Sequence, residues 1–101
     1  MATTSKTLFR GAATTSTGTT LYTVPSSTTT VVTSIVVTNT TSAAQTFTLG
    51  LAGTNLATTV AVGGNDSTVI DLKQPLTATQ TITGGASATT VNFHIAGVEI
   101  S

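Results

Sequence analysis

The sequence predicts an all-β protein, an antiparallel β-sandwich of Ig-like or jelly-roll-like form. Three observations carry this. Apolar residues alternate with period two in segment after segment, and no segment shows a helical 3.6-residue period. Turn-forming residues recur at roughly ten-residue intervals, which divides the chain into about seven or eight short strands. Thr makes up more than a quarter of the 101 residues. Its branched Cβ restricts χ1 and suits a pleated strand better than a helix. This length suffices for one domain with one core.

Residues 1–18 read as an extended amino-terminal arm and loop, and 19–101 as the sandwich. Within the arm, Thr7–Arg10 is either a short strand or part of the extended segment, and 12–20 is a Thr/Ser/Gly loop. Leu21–Val24 is a strand closed by Pro25, which cannot donate to a ladder. After a turn at 26–29, Thr30–Asn39 is the strongest strand. Val31, Ile35 and Val37 are expected on one face and Val32, Val36 and Thr38 on the other. Both faces are largely apolar, so the strand is central.

A turn at 40–44 leads into Gln45–Leu51, with Phe47, Leu49 and Leu51 inward. A loop over 52–55 precedes a weaker strand at Leu56–Val62. Gly63-Gly64-Asn65-Asp66 is the clearest turn, rich in residues that tolerate positive φ or form Asx-turns. Ser67–Leu72 follows, with Ile70 and Leu72 inward, and Lys73-Gln74-Pro75 breaks it. Leu76–Thr83 is the next strand, ended by Gly84-Gly85. The last runs from Thr89 to Ile100 with Val91, Phe93 and Ile95 on one face. Beyond Gly97 the apolar residues are Val98 and Ile100, of opposite parity. That switch predicts a bulge at Ala96-Gly97. The expected core is Ile35, Val37, Phe47, Leu49, Ile70, Phe93 and Ile95.

Charged residues are 6% of the chain and the net charge is zero, against roughly 25% charged in ordinary soluble domains. Three cations cannot build the basic patch of a nucleic-acid binder. No apolar run approaches the roughly 18 residues of a membrane helix. Met1–Lys6 has no apolar core of a signal peptide. Low charge gives little repulsion between copies and favours association.

The titratable side chains are Lys6, Arg10, Tyr22, Asp66, Asp71, Lys73, His94 and Glu99, and there is no Cys. A Ser-His-acid triad would have to use His94, which is expected on the strand face opposite Phe93 and Ile95. Asp66 and Asp71 are an odd number of residues apart, which places them on opposite faces of a strand. No 12-residue Ca²⁺ loop is present, and neither Gly-Gly pair is followed by a phosphate-loop Lys. The reading is therefore of a protein that is not an enzyme and holds neither metal nor cofactor. Asn39-Thr40-Thr41 and Asn65-Asp66-Ser67 match a glycosylation sequon by chance. The Thr-x-Thr pairs are too scattered along the chain to suggest an ice-binding lattice. Lys6, Phe9 and Arg10 are the candidates for contacts between the arm and a neighbouring chain.

Four runs carry a resemblance: Leu21-Tyr22-Thr23-Val24-Pro25; Thr33-Ser34-Ile35-Val36-Val37-Thr38-Asn39; Gly64-Asn65-Asp66-Ser67; and Asn92-Phe93-His94-Ile95-Ala96-Gly97-Val98-Glu99-Ile100. Over about residues 19–100 the chain resembles small structural proteins of tailed bacteriophages, which carry an LYTVPA…SIVVxN…AGNDT…NxxGVEI pattern. It departs from them in having Ser26 where Ala is usual and in its shorter, Thr-rich middle. The resemblance implies a virion component. The favoured place is the capsid exterior, as a decoration or cement protein binding across junctions of the major capsid protein. The implied partners are that protein and other copies of the chain, as a homotrimer. The alternative is a tail-fibre or baseplate module.

Overall fold

The computed structural model describes residues 3–101, so Met1 and Ala2 of the expected arm lie outside the described residues. Eight strands form: β1 (Thr3–Ala12), β2 (Thr20–Thr23), β3 (Thr29–Asn39), β4 (Gln45–Leu51), β5 (Thr54–Val62), β6 (Ser67–Leu76), β7 (Thr81–Ala86) and β8 (Val91–Ile100). They make two four-stranded antiparallel sheets. Sheet A has the order β1-β8-β3-β6 and sheet B the order β2-β7-β4-β5. Successive strands cross from one sheet to the other except at the β4–β5 hairpin. This double Greek key is the jelly roll, the second of the two forms expected.

The core lies between the sheets. Six of the seven expected core residues are fully enclosed, and Ile70 is half-buried against them. Leu8, Ala13, Val24, Val32, Val62, Leu76, Ile82, Ala86 and Val91 complete the core. Phe47 of sheet B meets Phe93 of sheet A edge to face, with centroids 6.3 Å apart and planes at 74°, a favoured aromatic geometry.

Several expectations are corrected. Residues 3–12 do not stand apart as an arm. They pair along the full length of β8, from Thr3 opposite Ile100 to Ala12 opposite Asn92, because Leu8 supplies a core side chain that alternation alone did not reveal. β6 does not stop before Lys73-Gln74-Pro75 but continues to Leu76, where it pairs with Thr30. Pro75 is tolerated because β6 is an edge strand with no neighbour on its other side. The turn falls at 77–80 instead, where Gln80 N–H donates to the Thr77 carbonyl and Thr79 has φ 70°. Gly84 and Gly85 then sit inside β7 rather than ending a strand. A Cβ on Gly84 would lie 2.7 Å from Leu49 Cδ2, and one on Gly85 only 2.2 Å from the Ser16 carbonyl oxygen. Glycine inside a strand here marks close approach, not a turn.

The bulge expected at Ala96-Gly97 lies in the neighbours of β8. From Val91 to Ile100, β8 steps without interruption against both partners. The extra residues are Thr33 in β3 and Leu8 in β1. The shift in β3 also explains why Val31 and Ile35 do not share a face as expected: Thr30 and Val32 point inward before it, Ile35 and Val37 after it. Thr33 Oγ1 donates to the Ala96 carbonyl at 3.3 Å, satisfying a backbone acceptor beside the irregularity. Gly97 keeps the inward parity of Ile95. A Cβ there would be 2.5 Å from Val31 O and 2.8 Å from Leu8 Cδ1. Leu8 therefore fills the core space that residue 97 leaves open.

Candidate functional site

The inward alternation of β8 passes from Gly97 to Glu99 at the mouth of the sandwich. This explains how a carboxylate comes to face the inter-sheet space. Lys6 Nζ approaches Glu99 Oε2 at 3.3 Å, with the Lys side chain 47% and the Glu side chain 16% exposed. Tyr22 lies opposite Ile82 and so points inward from sheet B. Its hydroxyl donates to Glu99 Oε2 and lies 2.9 Å from Thr30 Oγ1. The Tyr22 hydrogen bond, helped by Lys6, holds the Glu99 carboxyl below the usual range against the opposing effect of desolvation. Desolvation and the neighbouring carboxylate push the Tyr22 hydroxyl up. The cluster joins β1, β2, β3 and β8. It is a polar latch between the two sheets, and neither β1 nor β2 alternation signalled it in the sequence.

The three residues expected to reach a neighbour have different fates. Lys6 is drawn to Glu99 within the chain. Phe9 is half-buried against the core. Arg10 is exposed and level with His94 on the outer face of sheet A. His94 in turn sits beside Val36, on the outer face where the sequence placed it.

The acids do not converge. Asp66 lies in the β5–β6 turn, where Oδ1 accepts from Ser67 N–H at 2.8 Å. Asp71 faces outward from β6, opposite Ser34. Among the described residues, no group of three His, Asp or Glu side chains is placed to hold a metal. The Asx-turn of this end of the molecule forms at Asn39, whose Oδ1 accepts from Thr41 N–H at 3.1 Å. Asn39 Nδ2 donates to the Ala43 carbonyl at 2.8 Å and the Val62 carbonyl at 3.2 Å. With 2% exposure, this sequon asparagine is a structural brace with no amide hydrogen to offer a sugar.

The broad surfaces carry the clearest asymmetry. Every charged side chain among the described residues belongs to sheet A or to the turn leading into β6. β2, β4, β5 and β7 contain none. The outer face of sheet B is instead uncharged and rich in threonine, with Leu56 of β5 39% exposed on it. Thr46 and Thr48 alternate with inward Phe47 and Leu49 on β4. Thr81 and Thr83 flank inward Ile82 on β7, with Thr20 of β2 opposite Thr83 and Thr23 opposite Thr81. Two Thr-x-Thr pairs far apart in sequence, Thr46/Thr48 and Thr81/Thr83, are thus brought to one face by the topology. The sequence matches no protein-family model and no curated protein.

Proposed function

We propose that the chain is a structural protein of a bacteriophage virion, a capsid decoration protein that stabilises the shell by binding across junctions of the major capsid protein. The observation that carries the reading is the charge-free threonine face of sheet B. A domain solvated on all sides gains solubility from charges of both signs spread over its surface. A face that supplies threonine hydroxyls and methyls and one exposed leucine, Leu56, but no charge suits a dry, closely fitted contact in a permanent assembly. Such a contact gains from apolar burial and satisfied hydrogen bonds and places no charge out of water. The bacteriophage-like runs along the chain support the same reading. The jelly roll agrees with it, being common in viral capsid domains, but it also serves lectins, so it ranks below the surface chemistry.

In this reading the protein is not an enzyme. His94 lies on the outside of sheet A, and Glu99 is turned inward near the far end of the same strand. Hydrolytic activity lost in a His94→Ala variant would overturn that part.

The experiment is to assemble particles without the protein, add it back, and measure copy number and heat-induced DNA release. The expected result is several hundred copies bound over the shell and DNA release at lower temperature in their absence. Thr48→Lys and Thr83→Lys, each placing a charge on the sheet B face, should abolish attachment while leaving the isolated protein folded. Copies confined to the tail would replace the capsid reading with the tail-fibre or baseplate alternative.

A further inference from the structure

The outer face of sheet A contrasts with that of sheet B. Val31 and Val98 stand opposite each other on it, and Val36 is opposite Val69. Ile100 extends the patch at one end, and Ala96 lies between. Val69 is 61% exposed, the most exposed large apolar side chain among the described residues. The charges on this face are arranged by edge. Arg10 projects from edge strand β1, level with His94, Val36 and Val69. Asp71 projects from the opposite edge strand, β6, two residues further along, with Lys73 two residues beyond it on the same face.

We infer that this face pairs with the same face of a second copy, about a two-fold axis running close to the strand direction. Such an axis lays β1 of one copy over β6 of the other and β8 over β3. Each Arg10 then comes over the other copy's Asp71, with an offset of about 7 Å along the strand, which an arginine side chain spans. The Arg10–Asp71 pair is therefore self-complementary, as an isologous contact requires, and Lys73 lies a further two residues along β6, beyond the reach of Arg10. The valines fill the centre and the two ion pairs lie at the rim.

The edges of the sheets do not offer a competing route. β1 carries the Leu8 bulge, β6 carries Lys73 and Pro75, β2 has four residues, and β5 holds Thr59 at φ 50° within a register shift. Each is a device that discourages edge-to-edge pairing. The size also suffices. Four strands of about ten residues give a face of roughly 600 Å². A pair would bury about 1,200 Å² in total, at the lower end of the range for specific complexes.

This inference does not rest on the capsid reading, and it replaces the trimer implied by the resemblance with a two-fold pair. The test is sedimentation velocity of the full chain at micromolar to millimolar concentration. The wild-type protein should sediment as a dimer, and Val69→Asp as a monomer with an unchanged melting temperature. Arg10→Asp should weaken the dimer by about tenfold or more through like-charge juxtaposition. Arg10→Asp combined with Asp71→Arg should restore it, because the exchange regenerates the pair in reverse. A wild-type monomer or trimer, a dimer indifferent to Val69→Asp, or a charge exchange that fails to rescue would each overturn the inference. All these readouts come from the isolated protein, so they stand or fall separately from attachment to particles.

Discussion

Phe93 and Tyr22 show how single side chains tie the two sheets. Phe93 is enclosed and meets Phe47 across the core. Phe93→Ala should cost about 3–5 kcal/mol, seen as a lower urea midpoint, and an unchanged midpoint would contradict the packing described. Tyr22 joins the sheets through a polar contact instead. Tyr22→Phe removes the donor to Glu99 and should cost about 1–2 kcal/mol at neutral pH. The latch also predicts a pH dependence of stability. Glu99 titrates lower in the folded state than its ordinary value of 4.5, so its contribution is present above that value and lost as pH falls through the folded pKa. Tyr22 titrates higher than its ordinary 10.0, so its contribution is full below pH 10 and lost as pH rises above it. Unfolding measured from pH 2 to 6 should show a smaller acid loss in Tyr22→Phe than in the wild type. Equal acid slopes in the two proteins would count against the latch.

At the scale of the element, β1 behaves differently from an accessory arm. It is a full strand of sheet A, and its bulged Leu8 fills the space beside Gly97. Deleting residues 3–10 should therefore unfold or strongly destabilise the domain, with loss of cooperative melting. A truncated chain that melts like the full one would return β1 to the status of an arm. The same packing forbids a side chain at 97. Gly97→Ala should cost about 1–3 kcal/mol as Leu8 and the Val31 backbone give way, measured by thermal or urea unfolding. β3 was legible as central because both its faces are apolar. Its bulge was not, because Thr33 and Ser34 fit equally well on either face.

For the whole molecule, the separation of charge onto sheet A sets the expected response to salt. Attachment through the threonine face should change little between low and high ionic strength, since screening acts on exposed charges and that face has none. Pairing through sheet A should weaken modestly with salt at its Arg10–Asp71 rim, while the valine centre persists. Copy number per particle and dimer dissociation, each followed across a salt series, separate the two surfaces. A steep salt dependence of attachment would argue for a contact through charged residues instead.

Alternation and turn chemistry determined the all-β class, the central place of Thr30–Asn39, the Gln45–Leu51 strand and most of the core. These are local properties: a period-two pattern and a turn residue act on a few neighbouring residues wherever the chain goes. The tertiary structure decided what depends on the partner of a strand. It placed the bulges in β1 and β3 rather than in β8, and carried β6 through Pro75 because no strand lies beyond it. It also put Gly84 and Gly85 inside β7, where other chain segments pass too close for a Cβ. The latch at Glu99 and the threonine and valine faces are of the same kind. Their members are far apart in the chain and meet only because the jelly roll interleaves its strands between two sheets. A periodic pattern reports which side of a strand is buried; it does not report which strand lies next to it or what covers its outer side.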